Sequence, residues 1–538
     1  MTFYPRPQLE RESYICLDGV WDFAVTEGES VPQSFSESIN VPYPPQAKLS
    51  GIGRDVPDGS FLWYRREFPN QGIAPGERLL LNIGAADQTA TVYVNGREAG
   101  SHSGGYEHFT LDITELANEF INEIVIRVHD SLKDRTQPYG KQSLKRGGMW
   151  YTPVSGIWQT VWMEKVPGTY VKSLDFTYGK DYVIVKAEGV KDGVIRLTEL
   201  PDEGEFRLKD GAVYIAPKTM KLWSPEEPYL YRFELVSGED RVKSYFAFRT
   251  LEIRDFEGIP RLCLNGEPFF FNGLLDQGYW MDGLMTPPSP ETWAKEITEL
   301  KKLGFNTLRK HIKVEPELFY YECDRLGMVV FQDMVNNGKY SFFKDTLLPT
   351  IGLTRLDDRR RHRDTNQRQA FAKAMTSTVN MLKNHPCICY WTIFNEGWGQ
   401  FCSSEMYEHL RALDASRFID SASGWFSGGK TDVSSVHIYF KKLRPPKKSE
   451  RGRPYVISEF GGYVWKDEKH CFNLEKTYGY GIFKTKAEFQ KAFKALYDEQ
   501  VLPLIPKGLC AAIYTQVSDV EDETNGIFTY DREVNKLT

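Results

Sequence analysis

The sequence predicts a multidomain protein that joins two β-sandwiches to a barrel of alternating strands and helices. The chain has 538 residues, which is too long for a single hydrophobic core. Up to about residue 251, short strand-like runs alternate with turn residues, whereas strands alternate with helices from about residue 252 onward. We therefore expect an N-terminal jelly-roll β-sandwich at 1–165, an immunoglobulin-like β-sandwich at 166–252 and a C-terminal (β/α)8 TIM barrel at 253–538.

The two sandwiches are predicted from runs of β-branched and aromatic residues. In the N-terminal part such runs lie at 19–23, 61–68, 90–94 and 124–128. Asn95-Gly96 follows the third run, and this dipeptide is a strong hairpin signal. A second, smaller all-β stretch extends from about 166 to 251, and its length suits an immunoglobulin-like sandwich.

The barrel is predicted from eight strands and the helices between them. Strands are expected at 269–271, 307–308, 328–331, 388–394, 417–419, 435–437, 455–458 and 509–514, and helices at 290–303, 315–326, 369–382, 403–413 and 486–502. Strands that alternate with helices over this length are typical of a (β/α)8 barrel. No helix is predicted after the eighth strand, so a closing helix is either absent, replaced by other packing or missing from this sequence.

Two glutamates stand where buried strands end. Glu396 follows the apolar run 387–394 after the fourth strand, and Glu459 follows the run 454–458 after the seventh. The carboxyl ends of barrel strands meet at the face where ligands bind. Cleavage of a glycosidic bond needs two carboxyl groups in different protonation states. The sequence therefore predicts a retaining exo-β-glycosidase.

The neighbours of the two glutamates suggest how their roles divide. Glu459 is expected beside the Arg309 guanidinium and therefore ionised, whereas Glu396, expected among Trp391 and Trp398, should hold its proton near neutral pH. Asn395 is well placed to hydrogen-bond the sugar 2-hydroxyl. Attack by Glu459 and hydrolysis of the resulting ester by water would retain the anomeric configuration.

Composition argues against several other classes of protein and site. The net charge of −6 does not indicate a nucleic-acid partner, and neither a signal peptide nor a stretch of ~20 apolar residues is found, which favours a cytoplasmic protein without a membrane span. The 8 cysteines have no zinc or disulfide spacing and are expected to be free thiols. No cofactor is expected, and no His, Asp and Glu cluster is predicted to hold a metal near the glutamates. A carbohydrate is the expected partner, and a homo-oligomer is possible.

Four motifs in the N-terminal half resemble those of a known enzyme family. They are Leu17-Asp18-Gly19-Val20-Trp21-Asp22-Phe23, Trp63-Tyr64-Arg65-Arg66-Glu67-Phe68, Val92-Tyr93-Val94-Asn95-Gly96 and Ser155-Gly156-Ile157-Trp158-Gln159-Thr160-Val161-Trp162. Together with the order of the three domains, they are similar to glycoside hydrolase family 2, which includes β-galactosidases, β-glucuronidases and β-mannosidases. The resemblance implies that Glu396, in its Asn-Glu pair, is the acid/base and Glu459 the nucleophile. It also implies that Tyr439 lies beside the nucleophile.

The sequence departs from the better-known branches of that family in several segments. Arg309 is followed by Lys310-His311 instead of Ser-His, and the segment after strand eight reads Tyr514-Thr515-Gln516-Val517-Ser518-Asp519 instead of a Trp-centred pattern. The Asn-x-Lys clamp that glucuronidases use for the uronate carboxylate is not evident in 522–526.

A neutral sugar is therefore expected, with β-galactosidase as the first hypothesis and β-glucuronidase or β-mannosidase as alternatives. The predicted substrate-binding residues are Asp276, Arg309, His311, Asp333, Asn395, Trp398, His437 and Tyr439. If the sugar is instead a glucuronide, Lys310 and the basic run 359–363 are the first places to look for a cation.

Each signal also has an alternative explanation. Trp391 is better explained as a core residue, whereas Trp398 and Trp425 suit the core and sugar stacking equally well. His311 and His437 fit buried structural histidines as well as sugar contacts, and Asp333 could organise the barrel mouth without touching substrate. A non-catalytic carbohydrate-binding protein remains a second hypothesis. A phosphate-binding barrel enzyme is a weaker one, because only Gly461-Gly462 supports it.

Overall fold

A computed structural model describes residues 3–350, 357–426 and 429–538 of the chain. Its strands divide into two groups of antiparallel sheets followed by one eight-stranded parallel sheet. The predicted architecture of two β-sandwiches and a (β/α)8 barrel is confirmed. The residue at which each domain begins and ends stays a prediction.

The N-terminal sandwich packs a four-stranded sheet on a six-stranded one. Its strands are β1 (Tyr14–Cys16), β2 (Gly19–Thr26), β3 (Glu37–Val41), β4 (Phe61–Pro69), β5 (Glu77–Ile83), β6 (Ala86–Asp87), β7 (Thr89–Val94), β8 (Arg97–Ser103), β9 (Phe109–Asp112), β10 (Ile121–His129), β11 (Gly156–Ile157) and β12 (Val161–Pro167). The sheet orders are β1-β12-β5-β9 and β3-β2-β4-β10-β7-β8, with β6 and β11 paired separately. Alternate residues of these strands, such as Trp21 and Phe23, are buried between the sheets, as a half-buried strand requires.

The second sandwich is smaller and has its own core. It contains β13 (Ser173–Tyr178), β14 (Val183–Glu188), β15 (Gly193–Leu197), β16 (Glu205–Leu208), β17 (Ala212–Ile215), β18 (Tyr231–Ser237) and β19 (Asp240–Phe246), in sheets ordered β13-β14-β17 and β16-β15-β18-β19. A three-stranded sheet of β20 (Leu251–Phe256), β21 (Ile259–Leu264) and β22 (Glu267–Pro268) follows. Arg261 of β21 donates hydrogen bonds to the carbonyl oxygens of Ile505 and Leu509, which ties this sheet to the barrel.

The barrel strands are buried along nearly their whole length. They are β23 (Phe271–Asp276), β24 (Thr307–Lys310), β25 (Val329–Asp333), β26 (Ile388–Thr392), β27 (Phe418–Asp420), β28 (Ser434–Ile438), β29 (Tyr455–Gly461) and β30 (Leu509–Thr515). They pair in the order β27-β26-β25-β24-β23-β30-β29-β28, and every pair is parallel. Buried parallel strands are continuous apolar runs because helices or other elements cover their outer face.

Helices are found close to all five predicted positions, and one short helix at 348–350 was not predicted. They are α1 (Glu291–Lys302), α2 (Glu317–Leu326), α3 (Leu348–Thr350), α4 (Thr365–Leu382), α5 (Ser403–Leu413) and α6 (Lys486–Leu496). Asp364 caps α4 and Thr485 caps α6 through hydrogen bonds to backbone amides, which satisfies donors that the first turn leaves free. No helix in the described part of the chain combines the length and the apolar character needed to cross a bilayer.

Residues 516–538 form no regular helix but are largely buried, so the predicted lack of a helix after the last strand is confirmed. This segment also contacts the first sandwich. The Tyr151 hydroxyl donates to Glu523 over 2.5 Å, and the Thr152 amide donates to Glu521 over 2.9 Å. The 131–155 loop of the sandwich therefore lies against the segment that follows β30.

Candidate active site

Glu396 and Glu459 meet at the carboxyl-terminal mouth of the barrel. Glu459 lies within β29, four residues past Tyr455, and Glu396 follows β26 by four residues. One carboxylate oxygen of each glutamate and one ring nitrogen of His437 all lie within 4.8 Å of one another. This separation is on the retaining side of the ranges for glycosidases, roughly 5–5.5 Å for retaining and 6.5–9.5 Å for inverting enzymes.

Arg309 holds the centre of the site together. Its guanidinium makes two 3.0 Å hydrogen bonds to the Asp333 carboxylate and donates over 3.1 Å to Glu459 and over 2.9 Å to the Asn395 side-chain oxygen. Arg309 is 1% exposed, and its buried carboxylate neighbours raise its pKa despite the cost of burial. A fixed fork of donors in a dry site orients three side chains from different strands at once.

The nucleophile candidate has two donors. In addition to Arg309, the Tyr439 hydroxyl donates to Glu459 over 2.7 Å and lies 2.8 Å from the Thr515 hydroxyl. Hydrogen bonds to the charged form of a carboxyl group stabilise that form. The geometry therefore favours an ionised Glu459, and Tyr439 lies beside it as the resemblance implied.

The acid/base candidate has a different environment from the one expected. Its carboxylate lies 2.6 Å from His437 Nδ1, whereas Trp391 is in the core and donates to Asp414. Burial raises the pKa of Glu396, but the hydrogen bond and charge of His437, together with Lys141, lower it below its ordinary value. The expectation that tryptophans keep Glu396 protonated is wrong, because a polar partner replaces the apolar contact.

His437 connects the two glutamates. Its Nδ1 lies 2.6 Å from Glu396 and 3.4 Å from Glu459, while its Nε2 lies 3.0 Å from the Ser423 hydroxyl. The prediction that no His and carboxylate cluster lies near the glutamates is also wrong, because β28 brings His437 next to residues distant in sequence. These three side chains are a donor set that could hold a cation.

Two of the remaining predicted residues, His311 and Asp333, lie in the central cluster. His311 accompanies the central cluster, with Nδ1 2.7 Å from Asp333, and burial followed by the Lys141 charge lowers the pKa of His311 to about 4. Asp333 is 1% exposed and engaged with Arg309 and His311, so the structure supports its organising role.

Two predicted substrate residues lie outside the central cluster. The Asp276 carboxylate pairs with Lys310 over 2.5 Å, and Lys310 packs over the Phe319 ring on α2. Successive residues of a strand face opposite sides of the sheet. Arg309 points into the barrel, so Lys310 points to its outer side, and Asp276 lies on that same outer side. Trp398 is 4% exposed in an aromatic cluster with Tyr139, Trp150 and Tyr340.

Sequence reasoning missed the contribution of the first sandwich. The Lys141 ammonium is among the charges that act on His311, Glu396 and Glu523. Nothing in the local sequence marks Lys141 as an active-site residue, since it belongs to a loop of another domain. Tyr478 and Tyr480 were also missed, although their position in the loop after the seventh strand was a usable signal.

A cavity of about 1170 Å³ opens beside Glu396. Its lining includes aromatic side chains, namely Tyr340, Phe342, Trp425, Phe426, Tyr439, Phe440, Tyr478 and Tyr480. Trp425 lies edge-on to His437, with ring centres 5.4 Å apart. Aromatic faces beside a pair of carboxyl groups suit a sugar, which has both apolar C–H faces and hydroxyl edges.

Comparison with known families agrees with this geometry. Residues 260–534 match the model of the glycosyl hydrolases family 2 TIM barrel domain, which is more than half of the chain. This chain belongs to glycoside hydrolase family 2. The resemblance noted in the sequence is thereby confirmed.

Individual relatives of this family 2 protein carry two kinds of name. A β-galactosidase of Thermoanaerobacter pseudethanolicus is 24% identical over 439 residues, which are 76% of this chain and 55% of that protein. A β-glucuronidase of Canis lupus familiaris is 24% identical over 92% of this chain and 82% of its own length. The solved β-D-glucuronidase of Dictyoglomus thermophilum has a TM-score of 0.75 at 19% identity, covering 99% of this chain and 97% of that one. The chain spans about half the length of several curated relatives that it matches.

Proposed function

We propose that this protein is a retaining exo-β-glycosidase that removes the terminal sugar of β-glycosides by double displacement. The observation that carries this proposal is the separation of Glu396 and Glu459, whose nearest oxygens lie within 4.8 Å at the mouth of the barrel. That spacing leaves room for one anomeric carbon between the carboxyl groups but not for an additional water. Membership of glycoside hydrolase family 2 supports the same reaction class.

In the first step the Glu459 carboxylate attacks the anomeric carbon while Glu396 gives a proton to the departing oxygen. Glu396 must therefore be protonated in the substrate complex, and a bound sugar that excludes water would raise its pKa. The 2.6 Å contact with His437 holds a proton next to Glu396 before the reaction. In the second step Glu396 takes a proton from water, the water oxygen attacks the glycosyl ester, and Glu459 leaves as a carboxylate.

The surrounding residues stabilise charge in both steps. Arg309 and Tyr439 donate to Glu459 and so favour its ionised form before attack and after the ester is hydrolysed. Asn395 accepts from Arg309 through its side-chain oxygen, which leaves its amide NH2 to donate to a sugar hydroxyl. Fixed donors of this kind stabilise charge that develops in the transition state.

For the sugar, we propose a β-glucuronide in place of the β-galactoside that was expected first. Several relatives in sequence and in structure are named β-glucuronidases, which supports the alternative over the first hypothesis. A uronate needs a cation, and most cations of the two predicted sources already have carboxylate partners. Lys310 is buried against Asp276 and Glu315, and Arg359, Arg360 and Arg361 pair with Glu405, Asp357 and Asp345.

Lys141 is the cation that we assign to the uronate carboxylate. Its loop is held to the barrel because the amides of Tyr139 and Gly140 donate to the Asn336 carbonyl, and it is braced internally because the Lys141 carbonyl accepts from the Tyr151 amide. No ion pair closer than 4.0 Å is found for the Lys141 ammonium among the residues that the structure describes. A positioned and unpaired ammonium suits a carboxylate ligand.

A β-galactosidase is the second candidate. The buried Glu523 carboxylate lies near Lys141, and a carboxylate accepts hydrogen bonds from neutral sugar hydroxyls but repels a uronate. The β-galactosidase among the relatives is consistent with this alternative. The two sugars can be separated by experiment.

The test is hydrolysis of nitrophenyl β-glycosides by the wild-type protein, Lys141→Met and the control Lys145→Met, whose exposed side chain lies in the same loop. We expect β-glucuronide to give the highest kcat/KM, with proton NMR showing the β-anomer as first product. Lys141→Met should lower kcat/KM for glucuronide roughly 10- to 100-fold and leave galactoside within about threefold, as for one lost hydrogen bond between charged groups. A preference for galactoside would overturn the glucuronide assignment, and the α-anomer as first product would overturn the mechanism.

A further inference from the structure

The cavity beside Glu396 is larger than a terminal sugar requires. Its volume is about 1170 Å³, whereas pockets for drug-sized ligands occupy roughly 300–1,000 Å³. Glu396 lines the cavity, and in the proposed reaction it protonates the oxygen of the leaving group. The space beyond Glu396 is therefore where the rest of the glycoside would lie.

One wall of this space is strongly basic. The segment between β28 and β29 carries seven lysines and arginines and a single carboxylate between residues 440 and 453. Five of the cationic side chains line the cavity, namely Lys441, Lys442, Arg444, Lys447 and Arg453. The protein has a net charge of −6, so this wall differs in sign from the molecule as a whole.

The acidic groups of the same cavity are already compensated. Glu450 accepts two hydrogen bonds from Arg444, over 2.7 and 2.9 Å, and Asp357 lies 3.4 Å from Arg360. Glu396 is paired with His437. Within the described residues, no carboxylate lies within 4.0 Å of the ammonium groups of the three lysines of the wall, although Glu450 accepts from the Lys447 backbone amide. The wall therefore has uncompensated positive charge that faces the leaving-group space.

We propose that this cavity binds an anionic saccharide as the leaving group, with Lys441, Lys442 and Lys447 facing its carboxylate or sulfate groups. Tyr478 and Tyr480 lie on the same cavity and offer aromatic faces to the sugar rings. This inference rests on the proposed glycosidase activity and names the class of substrate. Free lysines at a cavity wall attract an anion that diffuses in and hold it by ion pairs that salt weakens.

The test compares three disaccharides with the same terminal sugar, chosen as the one that the nitrophenyl panel selects. The reducing sugar is glucose, glucose 6-sulfate or glucuronic acid. We expect the wild-type protein to give a kcat/KM for at least one anionic disaccharide at least about fivefold above that for the neutral one. Raising NaCl to about 0.5 M should remove this preference and leave the neutral substrate unchanged, since the Debye length becomes shorter than ~5 Å. Comparing kcat/KM for the glucose 6-sulfate disaccharide with that for the glucuronic acid disaccharide shows which of the two anions the cavity prefers.

Reversing the charge of two wall lysines tests whether the basic wall causes the preference for anionic disaccharides. The double variant Lys441→Glu/Lys442→Glu should abolish the anionic preference and retain hydrolysis of the nitrophenyl glycoside. Lys448→Glu is the matched control, because Lys448 is an exposed residue of the same segment that does not line the cavity. Equal kcat/KM for all three disaccharides in the wild-type protein, or an equal loss in the control variant, would overturn the inference.

Absence of the proposed glycosidase activity would give a different result from absence of the anionic preference. In that case the wild-type protein would hydrolyse none of the nitrophenyl glycosides. Calorimetric titration with the three disaccharides that carry a terminal β-glucuronosyl group then still tests the basic wall, because binding does not need hydrolysis. Equal affinity for the neutral and anionic disaccharides in that titration would overturn the inference independently.

Discussion

The contact between His437 and Glu396 makes a quantitative prediction about the pH dependence of catalysis. His437 Nδ1 lies 2.6 Å from the Glu396 carboxylate, and this contact lowers the pKa of Glu396 against the opposing effect of burial. His437→Gln keeps a side-chain amide near the position of Nε2, beside Ser423, but removes the group at Nδ1. His437→Asn is the matched variant, because its amide nitrogen can still reach the Nδ1 position although the charge is lost.

The size of the effect follows from the energy of the lost contact. A hydrogen bond to a charged group contributes about 1.5–3 kcal/mol, and one pKa unit corresponds to about 1.4 kcal/mol. Removing a contact that favours the carboxylate raises the pKa of Glu396. The basic limb of the kcat/KM profile, where the acid/base loses its proton, should therefore move to higher pH by roughly 1–2 units in His437→Gln. The shift should be smaller in His437→Asn.

The assay is kcat/KM between pH 4 and 10 with a nitrophenyl glycoside, and with a methyl glycoside whose poor leaving group makes protonation limiting. The quantity to compare is the shift of the basic limb between the wild-type protein and each variant. Circular dichroism and the thermal midpoint serve as controls for folding. A basic limb that stays in place or moves to lower pH in His437→Gln would refute the assignment of Glu396 as the titrating acid.

Four further predictions concern the glutamates and the buried charges. Glu459→Ala should abolish turnover, whereas Glu396→Ala should retain activity on glycosides with good leaving groups, which need little protonation. Equal losses of Glu396→Ala on good and poor leaving groups would contradict the assignment of Glu396 as the acid/base. Activity should survive EDTA, because two carboxyls need no Lewis acid, and a loss that magnesium restores would reveal a cation site. Burial raises the pKa of Asp414, but the Arg417 charge and hydrogen bonds lower it more, to about 2. Asp414→Asn should therefore reduce the free energy of unfolding by about 2 kcal/mol at pH 7. This difference, measured by urea unfolding, should shrink as pH falls from 4 toward 2, because the folded-state pKa is depressed; a constant difference would contradict it. Asp276→Asn should lower the free energy of unfolding by about 3 kcal/mol, measured as a lower thermal midpoint, with KM unchanged. A raised KM without destabilisation would return this residue to the sugar site.

Local patterns in the sequence were sufficient for the architecture and for the two catalytic candidates. The period of the apolar residues distinguishes strands from helices, and the predicted eight strands of the barrel correspond to β23–β30. Glu396 and Glu459 could be found because each lies within two residues of the end of an apolar run, and parallel strands end at one common face. Arg309 was expected beside Glu459 from the closure of the barrel, whereas Tyr439 was expected there only from the resemblance to the family.

The tertiary structure alone decided which groups the two glutamates meet. His437 reaches Glu396 because β28 lies near it in the barrel, and Lys141 reaches the mouth because a loop of the first sandwich packs there. For Asp276 the sequence predicted the position at a strand end correctly but not the direction of the side chain. The side chain faces Lys310 on the outside of the barrel. Periodicity is a property of neighbours along the chain, whereas the pKa of a buried carboxyl depends on charges a few ångströms away in space. Those charges come from segments up to several hundred residues distant, so only the folded chain determines them.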